Sequence, residues 1–400
     1  METGDYKYVI VGGGLAGASA VEGIRERDKN GSILLIGAEN ELPYNRPPLS
    51  KGLWTGKDKQ EAIFVHGRDF YRDHGVSLHL GAAAARIDRP KKSVLDSSGT
   101  SFHYERLLLA TGGTPGRLQI PGGELSELVY LRTLADFRRT VSLAGSGRSA
   151  LVIGGGFIGS EMAAALTQAK LKVTLLFTGD YLCHHVFPEE LGRHITHMYS
   201  ARGVNVIPRD NATSIRHEGG VFITRTRTGQ EIRTDLVVAG IGIQPNEELA
   251  RAAGLTVADG VEVNTHLQTS DAAIYAAGDV ACFPDPMFGR RRMEHWDNAQ
   301  AQGRHAGRNM AGADQPFTDM PFFFADLFDF GYEGVGEVDG RLETFADWQE
   351  PNRTGVVYYL RDDRVRGVMM CNVWEKVDAA RALIARQEKV PRAALRGAIK

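Results

Sequence analysis

Apolar residues in this chain gather into short unbroken runs flanked by glycine. YVIVG (Tyr8–Gly12), SILLIGAE (Ser32–Glu39), ALVIGGG (Ala150–Gly156) and KVTLLF (Lys172–Phe177) are rich in Val, Ile and Leu. Runs of this kind predict parallel strands buried on both faces. The alanine-rich AGASAVEGIRER lies between the first two runs and FIGSEMAAALTQAK between the second two; both read as helices. The chain therefore carries two strand–helix–strand units roughly 140 residues apart, which predicts two related α/β domains. LVVAGIG (Leu236–Gly242) and AAIYAAGD (Ala272–Asp279) are further buried strands. From Pro316 the character changes. FFFADLFDFGYEGVGEV, TGVVYYLRD and VRGVMMCNVW predict a small sheet closed by the helix VDAARALIARQ, a third, α+β domain.

Each α/β unit opens with the same glycine device. Gly12, Gly14 and Gly17 form G-x-G-x-x-G between strand and helix, and Gly154, Gly156 and Gly159 repeat it. The first glycine permits a tight turn, the second lets a pyrophosphate reach the backbone, and the third lets helix and strand pack closely. Glu39 closes the strand after the first device, where an acid accepts ribose hydroxyls. The second unit ends its strand in Phe177, with Asp180 as the nearest acid and no Arg or Lys at the strand end to hold a 2′-phosphate, which favours NADH over NADPH. Two dinucleotide sites in one chain suit a tightly held flavin and a diffusible nicotinamide.

Composition narrows the class. The chain has 400 residues, 42% hydrophobic and 24% charged, with net charge −2 and no long basic run, which argues against nucleic acid and anionic membranes as partners. No window reaches the roughly 18 apolar residues of a membrane span, and the N-terminus reads straight into a strand without a signal-peptide pattern. Cys183, Cys282 and Cys371 are far apart and form no C-x-x-C, which points to packing roles and to the cytoplasm. His184-His185 and His194-x-x-His197 lack the spacing of a metal site, so no metal is expected.

The stretch ELPYNRPPLSKGLW (Glu41–Trp54) gives the chemistry its focus. Pro43, Pro47 and Pro48 fix φ and lower the entropy cost of an ordered loop, so that Arg46 and Lys51 can be held in fixed directions. With ATGGTP (Ala110–Pro115), GGGFIGSE, TSDAAIYAAGDVA (Thr269–Ala281) and EHWDNAQAQGRHAGRNM (Glu294–Met310), it makes the chain resemble the ferredoxin reductase and apoptosis-inducing-factor family of flavoproteins, with the glutathione-reductase-like fold. The resemblance implies a discontinuous FAD-binding domain (1–112 and 236–315), an NAD(H)-binding domain (113–235) and a C-terminal α+β interface domain (316–400). It implies that Lys51 lies by the flavin, where a cation stabilises arriving electron density, and pairs with Glu161; that Arg46 contacts FAD; and that Asp279, after Gly278, holds the ribityl chain. Ala110, Thr111 and Gly112 of ATGGTP and Gly242 at the end of LVVAGIG are implied to contact cofactor. Glu294 and His295, ahead of Trp296, are implied to lie close to the nicotinamide. Phe157 either sits near the flavin, as in the apoptosis-inducing-factor branch, or simply packs.

Two departures shape the functional expectation. No redox-active cysteine is found where disulfide reductases carry one, so thiol chemistry is disfavoured. Where ferredoxin reductases usually place a tryptophan, the segment FFFAD has Phe324, which keeps an aromatic face without the indole N–H. The expected activity is hydride transfer from NADH to FAD, then single electrons to a [2Fe–2S] ferredoxin or another small acceptor, in a monomer or homodimer. The alternative is a redox-responsive binding protein of the apoptosis-inducing-factor kind, with slow NADH oxidation and a long-lived charge-transfer complex. Arg290-Arg291-Arg292 is a short cluster that either docks an acidic ferredoxin or is a solvated turn, the second being preferred.

Overall fold

The computed structural model describes residues 3–399. In chain order the elements used below are β1 (Thr3–Val11), α1 (Leu15–Arg27), β2 (Ile33–Gly37), β3 (Val76–Leu80), β4 (Ser101–Leu109), β5 (Ser149–Ile153), α2 (Phe157–Gln168), β6 (Lys172–Leu176), α3 (Glu189–Ala201), β7 (Asn205–Ile207), β8 (Leu236–Ala239), β9 (Ile274–Ala276) and α4 (Trp296–Met310). They are followed by β10 (Phe322–Leu327), β11 (Phe330–Gly336), β12 (Glu343–Glu350), β13 (Thr354–Arg361), β14 (Arg364–Cys371) and α5 (Val377–Ala385).

The chain divides into two compact units. The first comprises residues 1–45, 60–114 and 244–321. Its sheet runs β3-β2-β1-β4, with β9 beside the C-terminal half of β4 and a hairpin (Ala84–Asp88 and Ser93–Asp96) extending the other half of β4. All pairings among β1, β2, β3, β4 and β9 are parallel; Val9 lies opposite Leu34 on one side and Leu107 on the other, and Leu107 opposite Ile274. These are the unbroken apolar runs of the sequence, and Val9, Ile10, Leu35, Leu107 and Ile274 are fully buried. α1 and α4 pack with almost no side chain between them. A Cβ on Gly23 would collide with the Arg304 carbonyl, one on Gly303 with that of Ala16, and one on Gly307 with that of Ala20.

The second unit comprises residues 46–59, 115–243 and 322–400. One sheet runs β7-β6-β5-β8, all parallel. Three antiparallel strands (Ala212–Glu218, Val221–Thr226, Glu231–Thr234) form a separate small sheet. The C-terminal part is a five-stranded antiparallel sheet, β10-β11-β14-β13-β12, with α5 against β11 and β14. Val357, Tyr358, Tyr359, Val368 and Met369 of its middle strands are wholly buried.

The two units divide the chain differently from the sequence expectation in several places: residues 46–59, expected within the FAD-binding domain, fall in the second unit, and residues 322–400 join that unit as well. Leu236–Ala239 was expected to open the return of the FAD-binding domain at 236. It pairs instead with β5, Val238 opposite Val152, so the return begins near 244. Residues 316–321 stay with the first unit, where the Phe317 amide bonds the Thr265 carbonyl and its ring meets Phe283. At 236–239 and 316–321 a long-range pairing decides the allegiance of a segment whose local pattern is compatible with either unit.

The tight α1–α4 contact yields a stability prediction. Gly303→Ala forces a methyl into the Ala16 carbonyl and should cost about 1–3 kcal/mol, the usual range for overpacking. Thermal unfolding followed by circular dichroism checks it; an unchanged midpoint would refute the backbone-close packing.

Candidate functional site

The first glycine device forms a cradle in the first unit. Gly12 has φ +131°, and a Cβ there would collide with the Ala110 backbone; a Cβ on Gly17 would strike the Gly12 carbonyl. Gly14 has open space where its side chain would be, and it caps α1 with no side-chain bond and no acid in the first turn. The free N–H groups and positive end of α1 thus face an opening at the glycine turn, which fits a dinucleotide pyrophosphate. Glu39 stands just past the end of β2 and accepts a 2.6 Å hydrogen bond from the Tyr44 hydroxyl, which orients its carboxylate.

The rest of this site is held by bonds that the sequence reading did not single out. Asn246 clamps the Ala110–Gly112 loop. Its amide donates to the Thr111 carbonyl (2.9 Å), its backbone N–H to Gly112 (2.9 Å), and it accepts from the hydroxyls of Thr111 (2.8 Å) and Thr114 (2.7 Å). Gly278, at φ +79°, donates its N–H to the Gln302 side-chain oxygen at 3.0 Å and leads into the turn that presents Asp279. Gln302 is fully buried, and its Nε2 has no partner among the described residues. The bond from Gly278 fixes which end of the amide is oxygen, so a buried donor is left without an acceptor among the described residues.

His295 immediately precedes α4. Burial, above all, pushes its imidazole down to about 4, with Asp279 opposing and Arg291 adding to the shift, so the ring is neutral near pH 7. Trp296 donates its indole N–H to Asn45 at 2.7 Å, and Glu294 pairs with Arg292 at 2.5 Å. The arginine cluster is internally engaged. Arg290 donates to the carbonyls of Val263 and Cys282, Arg291 pairs with Asp285, and Arg292 bridges Asp259 and Glu294. None of the three is simply a solvated turn residue, because the β-hairpin of residues 281–292 brings each onto an acceptor.

The second unit repeats the cradle. Gly154 (φ +116°) and Gly159 would collide with backbone if substituted, whereas Gly156 is open and caps α2 with no side-chain bond and no acid in the first turn. Ile158 and Ile241 remain 39% and 40% exposed beside this turn and give it a partly open apolar lining. Gly242 has φ +93° and nothing near its missing side chain. Phe157, first in α2, meets Phe323 edge-on at 5.5 Å. A cation does reach the Asp180 turn: Arg209, beyond the end of β7, lies 3.9 Å from Asp180 and bonds the Gly179 carbonyl through its N–H. The strand end itself carries no Arg or Lys, but parallel pairing of β7 with β6 delivers one from thirty residues away.

The proline-rich loop is also part of the second unit. Pro47–Ser50 is a 3₁₀ turn, and Trp54 pins it by donating to the Leu49 carbonyl (2.8 Å) while its ring meets Phe137 at 5.4 Å. Arg46 reaches the Arg132 carbonyl at 3.5 Å. Lys51 Nζ lies 3.2 Å from Glu161 Oε1 and 3.3 Å from the Phe324 carbonyl oxygen, with the Phe324 ring 4.3 Å away. The side chains of Lys51 and Glu161 are only 12% and 6% exposed. Ser50 donates a 2.5 Å bond to the other Glu161 oxygen. Burial pushes the Glu161 carboxyl up, while Lys51 and Ser50 pull it back toward the ionised form. Phe324 thus supplies a π-face and a carbonyl to the ammonium, where an indole N–H would have no added use for a cation.

The three thiols are buried. Cys183 is pushed up to about 12 by burial, and Cys282 and Cys371 are also raised by burial. None is a poised thiolate. No group of three or more His, Cys, Asp or Glu side chains converges as a metal site among the described residues.

A family model described as pyridine nucleotide-disulphide oxidoreductase matches residues 6–303, and one for the C-terminal region of mitochondrion-associated apoptosis-inducing factor matches residues 346–386. The ferredoxin–NAD(+) reductase component of the anthranilate 1,2-dioxygenase system of Burkholderia cepacia is 36% identical, over 94% of each chain. Apoptosis-inducing factor 1 of Dictyostelium discoideum is 33% identical over 96% of this chain and 79% of its own. Among solved structures, a ferredoxin reductase of Rhodopseudomonas palustris superposes with a TM-score of 0.91 at 30% identity, covering 97% of this chain and 96% of that one. With two glycine cradles, a buried Lys51–Glu161 pair and three buried thiols, the chain belongs to the pyridine nucleotide-disulphide oxidoreductase family, on the branch shared by ferredoxin reductases and apoptosis-inducing factors.

Proposed function

We propose that this protein is an FAD-containing, NADH-dependent oxidoreductase that delivers electrons to a ferredoxin-type [2Fe–2S] protein or a similar small acceptor. The observation that carries the reading is the buried Lys51–Glu161 pair, bonded by Ser50 and covered by Phe324. Bound FAD supplies hydride acceptance and release of single electrons. The protein's own part is position and electrostatics. Glycine cradles and uncapped helix starts hold the two pyrophosphates, the first for FAD and the second for NADH. Glu39 is assigned to a ribose of FAD, Asp279 to its ribityl chain and Gln302 to an acceptor atom of the same cofactor. The Ala110–Gly112 loop and Arg46 are further proposed FAD contacts, and the neutral His295, with Glu294 and Trp296, borders the nicotinamide. Ile158, Ile241, Gly242 and Phe157 offer the nicotinamide an apolar surface that excludes water. Lys51 places a fixed positive charge where electron density arrives, and Glu161 fixes Lys51.

The match of residues 346–386 to the apoptosis-inducing-factor C-terminal region supports a second reading, a slow redox-responsive binding protein. The cytoplasm is the compartment we propose, supported by three cysteines held apart as buried thiols. No helix among the described residues is long and apolar enough to cross a membrane.

An anaerobic NADH titration of the flavin absorption tests the proposal. NADH should bleach the absorption, and adding an oxidised [2Fe–2S] ferredoxin should restore it; a protein that NADH cannot bleach defeats the reading. Bleaching that persists for minutes in air and with ferredoxin, with a change of oligomeric state, favours the second reading. Lys51→Ala should slow bleaching by about 100-fold, the scale of losing one preorganised electrostatic contact, with native circular dichroism retained. Stopped-flow reduction at the wild-type rate would remove Lys51 from the mechanism. Gly156→Val should abolish NADH binding in calorimetry while FAD stays bound at full stoichiometry; loss of FAD would mean the cofactors are assigned to the wrong cradles.

A further inference from the structure

We propose that Ser50 is the positioning residue that holds the Glu161 carboxyl turned toward Lys51. The inference rests on the reading of the Lys51–Glu161 pair as part of the redox site. Ser50 is buried, at 3% exposure, so its hydroxyl proton needs a protein acceptor. Two oxygens are in range, Glu161 Oε2 at 2.5 Å and the Pro47 carbonyl at 3.4 Å, and the short contact takes the proton. Adjacent residues of one stiff loop therefore grip the two oxygens of a single carboxylate, Ser50 on Oε2 and Lys51 on Oε1. Rotation of the carboxyl about its last bond would break both contacts.

The surroundings leave few other groups for this task. Facing Glu161 are Asp326 on β10, Cys183 in the segment after β6, Tyr199 on α3 and Tyr332 on β11. Asp326 repels the carboxylate charge. The Cys183 thiol and both phenols are pushed far up by burial and stay neutral at ordinary pH. Among the described residues, the charged form of Glu161 is thus favoured by Lys51 and Ser50 and opposed by desolvation and Asp326. Packing of the loop does not need the hydroxyl, since the Trp54–Leu49 bond and the Trp54–Phe137 contact pin it separately.

The sign of the effect follows. A hydrogen bond donated to a carboxylate lowers its pKa, so removing the donor raises it. A rate that needs Glu161 ionised rises with pH through that pKa, and its rising limb moves to higher pH when Ser50 is lost. A hydrogen bond to a charged group sets the size at about one to two pH units.

The test compares wild-type holoenzyme with Ser50→Ala, Ser50→Thr and Ser50→Cys. One readout is the pH profile of flavin bleaching by NADH. The other is the infrared C=O stretch of a protonated carboxyl, assigned by its absence in Glu161→Gln. In Ser50→Ala, and in Ser50→Cys with its weak donor, the band should persist to higher pH and the rate limb should shift with it; Ser50→Thr should restore both. If Ser50→Ala does not fold, Ser50→Cys carries the same expectation in a side chain of nearly the same shape. Variants that bleach more slowly with no shift in band or profile overturn the proposal and reduce Ser50 to packing. A band shift in a protein that NADH never bleaches supports the hold of Ser50 on Glu161 and defeats the oxidoreductase reading alone.

Discussion

A carboxylate and an ammonium with little access to water are expensive to bury, and the second unit is organised around making that pair tolerable. Desolvation pushes the Glu161 carboxyl up, toward its neutral form. The protein offsets it with a lysine at one oxygen, a hydroxyl at the other, and a carbonyl and aromatic ring for the remaining faces of the ammonium. Removing Lys51 or Glu161 leaves the other charge uncompensated, and breaking such a buried pair costs more than forming it contributes. Pro47 and Pro48 of the loop follow from the same constraint. A floppy loop would lose entropy each time it met Glu161, and Pro47 with Pro48 removes much of that loss before the pair forms.

The two glycine cradles solve a different problem with backbone alone. In each, the outer glycines are dictated by collisions inside the protein and the middle one by open space outside it. The distinction separates structure from ligand binding at single-residue level. A Cβ on Gly12 or Gly17 damages the fold, while one on Gly14 meets nothing the chain provides. The same economy of side chains recurs where α1 meets α4, so this helix sits between a cradle at its start and a near backbone-to-backbone contact along its length.

Much of this was legible in the sequence because it is local. The apolar runs gave the buried parallel strands, and the glycine spacing marked the strand-to-helix turns at Gly12 and Gly154. The Lys51–Glu161 pair was legible only through resemblance, since no periodicity links residues 110 positions apart. What escaped depends on register between distant segments. Asn246 follows a short strand ending in Gln-Pro and looks like an ordinary loop residue until it closes around Thr111. Arg209 reaches Asp180 because a third strand joins the sheet in parallel. The allegiance of Leu236–Ala239 is likewise a matter of which edge it joins, since an apolar run of four fits either sheet equally well.

The chain passes between the two units five times, after residues 45, 59, 114, 243 and 321. Neither unit is a continuous stretch of polypeptide. During synthesis the first unit has β1, β2 and β4 early, but β9 and α4 arrive only after the whole parallel sheet of the second unit has been made. Until then α1 has exposed the small-residue face meant for α4, and the outer side of β4 lacks its last partner. The ribosome therefore cannot release a finished first unit ahead of the second. Long-range closure of this kind slows folding and lengthens the exposure of apolar surface. Cutting the chain at any single point would leave at least one unit without a strand or helix it needs.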